Sequence, residues 1–296
     1  MKPQIHSIDF FDRMESRMMK RKKMVEEVCK REGLGKYLNV DSLKTRHYPP
    51  TPNYEFLYFD LSNNLVWCPI YKSASTSWLY NFCNLAGISD DYLDNTNILE
   101  INNNKLKFFI VRHPFERLLS AYRDKLEKVV FQSPQRHETE FYYEKYGKRI
   151  VEKYRTKNPT SEAQSGSVGE VGKSLGIEPT FREFVTYLAD LDLSRQAEEH
   201  WIPYYLYCTP CFIDYDIIAK FETLYEDQVF IIAKSNLQDK ISPKWKRLSK
   251  GGRTSYVAEK YYSTLSKELL LKLYDKYKLD FDMFDYNLDE YLNYAR

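Results

Sequence analysis

Two stretches of this chain carry residue types suited to holding phosphate or sulfonate groups. In Lys72-Ser-Ala-Ser-Thr-Ser-Trp78, one ammonium and four hydroxyl side chains (Ser73, Ser75, Thr76, Ser77) surround Ala74 and crowd the start of a helical pattern. The first amides of a helix have no intrahelical partner and carry the positive end of its dipole, so an anion there is held by N–H groups, hydroxyls and one cation. A plain N-cap at Ser75 or Thr76 beside a solvated Lys72 accounts for the same residues equally well. In the second stretch, Arg112 follows the apolar run Phe108 to Val111, and Ser120 lies two turns into a helix that Pro114 opens. A guanidinium at the carboxyl end of a parallel strand sits where open α/β sheets bind ligands, so Arg112 and Ser120 are expected to converge on one phosphate. Two anion sites of this kind imply a ligand with two separated phosphates.

The elements that must position these residues alternate. Strand patterns at Glu55 to Phe59, Leu65 to Trp67 and Lys107 to Val111 interleave with helical ones at Thr76 to Leu85 and Pro114 to about Lys128. Alternation of this kind predicts an α/β fold with a parallel sheet covered on both faces. In the second helix Phe115, Leu118, Leu119 and Tyr122 form the buried stripe, and Arg117, Arg123 and Lys125 are expected on a salt-bridged surface. Met1 to Lys36 reads as an exposed, charged helix of weak amphipathicity ended by Gly33 and Gly35, and a linker follows through Tyr48 to Pro52. Asn158 to Gly176 has no apolar period, and from Thr180 onward the pattern is mainly helical.

Composition bounds the function. At 296 residues with 43% hydrophobic content the chain can bury a sizeable core, and aromatic residues make up 16%, faces well suited to sugars and adenine. A net charge of +2 argues against an all-over electrostatic trap for nucleic acid. Cations are instead local, at Lys20 to Lys23 and at Lys145, Lys148, Arg149, Lys153, Arg155 and Lys157, and a solvated helix face is the ordinary reading of each run. The Lys72 loop has no glycine and no Gly-x-x-x-x-Gly-Lys-Ser/Thr occurs, which argues against a P-loop nucleoside triphosphatase. Among the five cysteines, Cys208-x-x-Cys211 reads as a redox pair, half a zinc site or a structural disulfide. No run approaches the ~20 apolar residues that cross a bilayer, and no signal-peptide core follows Met1, so the sequence taken literally is expected to be soluble.

Taken together, the two anion stretches resemble the phosphosulfate loop and the 3′-phosphate segment of the Golgi carbohydrate sulfotransferases. The similar branch includes the chondroitin and dermatan 4-O-sulfotransferases and the HNK-1 sulfotransferase. Further blocks follow in family order: His200-Trp-Ile-Pro203, Cys208 to Asp216, Lys220 to Asp227, Arg253-Thr254 and Tyr274 to Phe284. The resemblance covers roughly Tyr54 to the C-terminus. It departs at Pro69, which the family places directly before the loop lysine and which here is followed by Ile70 and Tyr71. It also departs in the N-terminal membrane anchor of the family, which this sequence does not contain.

The resemblance implies a P-loop-like sulfotransferase fold, with a central parallel sheet flanked by helices and a helix-rich C-terminal half. A helical, stem-like segment and linker over 1–47 would precede a sulfotransferase domain over 48–296. The implied reaction is sulfuryl transfer from 3′-phosphoadenosine-5′-phosphosulfate (PAPS) to a sugar hydroxyl of a chondroitin- or dermatan-like glycosaminoglycan or a glycoprotein glycan, in the Golgi lumen. Lys72 and the amides of Ser73, Ala74, Ser75, Thr76 and Ser77 would stabilise charge on the leaving 5′-phosphate. Arg112 and Ser120 would fix the 3′-phosphate, with Arg253 and Thr254 as second candidates.

His200, after Glu198 and Glu199, is the candidate base, with Glu222 as its rival and a hydrogen-bonded structural histidine as the ordinary alternative. The acceptor is expected to be an anionic glycan met by Lys145, Lys148 and Arg149 with Glu222, not nucleic acid, and membrane association would come only through an anchor outside this sequence. No metal is expected, since no carboxylate–histidine cluster stands out. In a lumenal setting Cys208 and Cys211 are disulfide candidates. Two other classes remain: a glycan-binding protein of the same fold that has lost transfer, and a nucleotide kinase, which would want a P-loop and magnesium-binding carboxylates.

Overall fold

The apolar runs expected as strands form a sheet covered on both faces. In the computed structural model, residues 8–38, 52, 54–87, 105–131, 137–155, 176–196, 198–243 and 254–296 are described. Along the chain, α1 (Ile8–Glu32) precedes β1 (Tyr58–Asp60), β2 (Leu65–Cys68), α2 (Ser75–Ala86), β3 (Leu106–Val111) and α3 (Pro114–Lys125). Then come α4 (His137–Tyr142), a π-helical turn (Tyr143–Gly147), α5 (Lys148–Tyr154), α6 (Phe181–Asp190), α7 (Leu193–Gln196), α8 (Tyr204–Tyr207) and β4 (Ile217–Lys220). The described chain closes with α9 (Leu224–Lys234), α10 (Ala258–Tyr262), α11 (Lys267–Met283) and α12 (Asp289–Tyr294). These elements divide into two compact units, one of 1–113, 198–250 and 279–286, the other of 114–197, 251–278 and 287–296.

The first unit holds the four-stranded sheet, ordered β1-β2-β3-β4, with β2, β3 and β4 parallel and β1 antiparallel at one edge. Leu65 and Trp67 enter one core cluster with Phe108, Ile110, Ile217 and Ala219. The intervening Val66 and Cys68 enter the opposite cluster with Phe109, Val111 and Ile218. Burial on both faces is why these strands read as unbroken apolar runs rather than alternating ones. The register pairs Cys68 with Phe109 and Val111 with Lys220, so the carboxyl ends of three parallel strands lie side by side. The strand expected over Glu55 to Phe59 is corrected: Tyr54–Phe56 is a 3₁₀ turn, closed by the Leu57 amide on the Tyr54 carbonyl, and the strand starts at Tyr58.

Helix α1 is not the exposed segment expected from its charge. It buries Phe10, Met14 and Met18 in one cluster and Val25, Val28 and Cys29 in the other, so it passes the edge of the sheet at β4. An edge strand presents unpaired backbone groups. Here Arg21 Nη1 donates to the Ile218 carbonyl at 2.8 Å and to Asp227 Oδ2 at 2.7 Å, and the same carboxylate oxygen accepts from the Lys220 amide at 2.7 Å. Arg17 reaches Asp227 Oδ1 at 3.3 Å, and Asp227 is fully buried. Arg21 therefore leaves the solvated reading of Lys20 to Lys23, while Lys20, Lys22 and Lys23 keep it.

Cys208 and Cys211 do not pair with each other. Cys29 bonds Cys211 and Cys68 bonds Cys208, across 182 and 140 residues of sequence. The close spacing misled because the two thiols face different elements: Cys208 meets the end of β2, and Cys211 meets the last turns of α1. Gly35, at φ +59°, lets the chain turn there, since a Cβ would lie 2.3 Å from the Cys211 carbonyl oxygen that accepts the Lys36 amide.

The second unit is helical. Thr180 and Glu183 form a capping box at the start of α6, and Phe115 stacks on Tyr262 at 5.4 Å. Helix α3 ends at Lys125 and buries more of its circumference than its apolar stripe: Arg117 is 1% exposed and Lys125 6%. Lys125 is not a surface cation but a buried one, bonded to Glu138 at 2.7 Å and 4.9 Å from the Tyr142 ring centroid.

Replacing Asp227 by alanine takes the carboxylate from Arg21 beside the β4 edge, while Arg17 keeps Glu226 at 2.8 Å. It should cost about 3–5 kcal/mol of unfolding free energy in chemical denaturation, the scale of breaking a buried ion pair. A loss under ~1 kcal/mol would identify a solvated pair instead.

Candidate active site

The loop from β2 to α2 is built against local preference. Pro69 contributes no amide, the Ser73 amide closes a turn on the Ile70 carbonyl at 3.1 Å, and Lys72 (φ 69°) and Ala74 (φ 65°) adopt the left-handed conformation. Each costs roughly 1–2 kcal/mol in a residue with a Cβ, and such residues concentrate at functional sites. Left-handed residues on either side of Ser73 alternate the hand of the chain, the arrangement that turns successive amides toward a common anion.

Ala74 is the N-cap of α2 and offers no side-chain hydrogen bond, so neither Ser75 nor Thr76 caps the helix. The Ser77 amide bonds the Ala74 carbonyl at 3.1 Å, so the amides of Ser75 and Thr76 form the open start of the helix. Ser73 is 1% exposed and its Oγ has no hydrogen-bond partner, a buried hydroxyl that an anionic oxygen would satisfy.

Arg112 lies beside this loop. It is 6% exposed, its Nη1 donates to the Lys72 carbonyl at 3.4 Å, and its guanidinium sits 4.5 Å from the Phe221 ring centroid. The Tyr204 hydroxyl donates to the Arg112 carbonyl at 2.7 Å, and the Tyr204 and Tyr205 amides donate to buried Asp280 at 2.8 and 3.0 Å. Beyond it, Glu222 accepts the His113 amide at 2.8 Å and the Tyr286 hydroxyl at 2.9 Å. Burial, and then the Glu222 charge, push the Tyr286 phenol well above its usual range. Each Glu222 oxygen thus accepts one hydrogen bond from the protein. Lys220, register partner of Val111, has its ammonium 4.3 Å from the Tyr286 ring centroid and its pKa lowered by burial and then by Arg21.

His200 is 4% exposed, its Nδ1 lies 2.8 Å from Glu198 Oε1, and its ring packs at 4.7 Å against Tyr71, the neighbour of Lys72. Polar atoms of Glu198, Glu199 and His200 lie within 4.8 Å of one another. A carboxylate–histidine cluster therefore exists where none stood out in the sequence, and a direct hydrogen bond joins two of its members.

The first unit thus brings together Lys72, Ser73 to Ser77, Arg112, His200 and Glu222. Ser120 and Thr254 belong to the second unit, Ser120 half-buried on α3 and Thr254 buried, and Arg253 lies outside the described residues. Lys145, Lys148 and Arg149 are exposed in the helical run of that unit. Lys148 pairs with Glu144 at 3.4 Å, Lys153 lies 3.9 Å from Asp190, and Arg155 is bonded to Glu183 at 2.9 Å. Lys145 lies 5.2 Å from the ring centroids of both Phe141 and Tyr146. Lys157 lies outside the described residues. Sequence reasoning missed Tyr71, Tyr204, Lys220 and Asp280, whose roles arise from contacts between distant segments. Only Tyr71, beside the loop lysine, carried a local signal.

Residues 56–287 match the sulfotransferase family. The chain belongs to that family. Carbohydrate sulfotransferase 11 of Rattus norvegicus is 33% identical over 267 residues, covering 82% of this chain and 70% of that protein. Carbohydrate sulfotransferase 8 of Homo sapiens is 28% identical over 290 residues, covering 90% of this chain but only 62% of its own length. Carbohydrate sulfotransferase 14 of Danio rerio is 34% identical over 182 residues, 62% of this chain and 44% of that protein. No solved structure matches the chain significantly. Membership in the sulfotransferase family implies PAPS as sulfuryl donor. The uncapped start of α2, the unpartnered Ser73 hydroxyl and Lys72 fit the phosphosulfate end of that donor. No helix of the described residues is long and apolar enough to cross a membrane.

Ala74→Gly should raise stability by up to about 1 kcal/mol in thermal or chemical unfolding, because glycine adopts the left-handed conformation without the Cβ penalty. Destabilisation by ~0.5–1 kcal/mol, as for glycine inside a helix, would show that position 74 is not strained.

Proposed function

We propose that the sulfotransferase moves the sulfuryl group of PAPS to a hydroxyl of an anionic glycan, with Lys72 and the start of α2 holding the phosphosulfate and His200 taking the acceptor proton. The observation that carries this reading is the uncapped start of α2 after the glycine-free turn at Lys72 to Ala74, which leaves the Ser75 and Thr76 amides and the buried Ser73 hydroxyl ready for an anion. The acceptor oxygen forms a bond to sulfur as the bond from sulfur to the 5′-phosphate oxygen breaks. His200 receives the hydroxyl proton, and adenosine 3′,5′-bisphosphate leaves. Lys72 and the loop amides oppose the charge growing on the leaving phosphate.

Arg112 is assigned to the 3′-phosphate by its place at the end of β3, and Ser120, Arg253 and Thr254 by family resemblance. His200 is preferred to Glu222 as base because both Glu222 oxygens are held by the His113 amide and the Tyr286 hydroxyl, whereas the His200 ring packs on Tyr71, next to Lys72. In the basic run, Lys145 and Arg149 are the better candidates for glycan sulfate or carboxylate groups, since Lys148 is paired with Glu144. A glycan chain rather than nucleic acid is the partner this reading supports. Two disulfides suit an oxidising lumen such as the Golgi better than the cytosol.

Lys72→Ala should lower kcat by about 10²-fold or more with the fold intact, the scale of losing one preorganised charge-stabilising group. Unchanged turnover would remove Lys72 from the chemistry. Arg112→Ala should cost roughly 2–5 kcal/mol in affinity for adenosine 3′,5′-bisphosphate, and much less for a nucleotide lacking the 3′-phosphate, by calorimetry. Equal losses for both nucleotides would place Arg112 elsewhere. Because protein groups meet the developing charge, turnover should persist after exhaustive chelation, and loss restored by a divalent cation would overturn a metal-free mechanism.

A further inference from the structure

We propose that Glu198 is a positioning residue for sulfuryl transfer, holding His200 in the tautomer that leaves Nε2 to take the acceptor proton, while Tyr71 braces the ring from the donor loop. This rests on His200 being the base, as read above. Glu198 Oε1 lies 2.8 Å from His200 Nδ1, and Glu198 Oε2 accepts the backbone N–H of His200 at 2.9 Å. An ionised carboxylate only accepts, so the first contact puts the ring proton on Nδ1 and the lone pair of the neutral ring on Nε2. The second contact holds the carboxylate itself, so it cannot swing away without losing an amide.

The side chains of His200 and Glu198 are 5% and 9% exposed. Charge appearing on the imidazole as it takes a proton is therefore met by the Glu198 charge in a poorly solvated place, where such interactions are strong. Tyr71 packs on the ring at 4.7 Å and 35° and directly precedes Lys72, so one short loop touches both the donor-binding lysine and the base. Tyr71 is also one of the two residues that separate Pro69 from Lys72. Glu198 and Glu199 of its own turn and Tyr71 of the donor loop face the imidazole. The Glu199 charge also reaches Tyr58 on β1, whose phenol is pushed up first by burial and then by that carboxylate.

E198Q keeps the shape and removes the charge. We expect kcat to fall about 10²-fold with affinity for adenosine 3′,5′-bisphosphate unchanged, which also reports a folded protein. Losing the carboxylate makes the imidazolium easier to deprotonate, and the base must be neutral to act. The acidic limb of the kcat/KM profile should therefore move to lower pH by about one unit or more. The His200 ring followed by NMR should titrate at correspondingly lower pH, a readout independent of turnover. E198D, which keeps the charge, should return the limb toward its original place. A limb and a ring titration that stay put in E198Q overturn the positioning role even if kcat falls, because lost packing alone does not move them. Near-normal turnover in H200A instead overturns the base reading on which the role depends.

Discussion

The site depends on the tie between Cys68 and Cys208. Cys68 is the last residue of β2, four positions before Lys72, and Cys208 follows the short helix α8 that carries Tyr204. One covalent bond therefore joins the strand delivering the anion loop to the segment that delivers His200 and the hydroxyl clasping the backbone of Arg112. Closing a loop of 140 residues removes much of the freedom these segments would have in the unfolded chain. The parallel register of β2, β3 and β4 does the rest, because it sets the loops that follow three strands along one edge.

Edge protection and site construction meet at β4. Asp227 takes the Lys220 amide and two arginines of α1, so the strand that bears Lys220 at its end is closed to further pairing. The Cys29–Cys211 bond holds α1 against the same unit from its other end. A helix rich in charge thus serves as the outer wall of the sheet, with Arg17 and Arg21 spent on carboxylates and the Ile218 carbonyl.

Much of this was legible in the sequence where the signal was local. The apolar runs of β2 and β3, the helices after them, the loop of Lys72 between β2 and α2, and Arg112 at the end of β3 were all readable from spacing and residue type. What failed was nonlocal. The cysteine pairing escaped because Cys208 and Cys211 are close in sequence yet face β2 and α1. The burial of α1 escaped because its apolar residues at Phe10, Met14 and Met18 are outnumbered by charges. Lys125 read as a surface cation because its partners, Glu138 and the Tyr142 ring, lie on the next helix. The two hydrogen bonds that occupy Glu222 come from residues 109 and 64 positions away, beyond the reach of any local pattern.

The anion loop itself is a local defect held by a rigid surround. Two left-handed residues with side chains cost roughly 1–2 kcal/mol each, an uncapped helix about 1, and a buried hydroxyl without a partner about 1–3. The loop itself supplies no partner for the Ser73 hydroxyl and no side-chain cap for the helix. These costs are tolerated because the strand before it is buried on both faces and covalently tied at its last residue. A phosphosulfate would satisfy the same amides and hydroxyl, so the groups most poorly served in the chain alone are those best placed for the donor. Pre-organisation here means that the bonding deficit is carried by the fold, and the ligand meets donors that need no rearrangement to receive it.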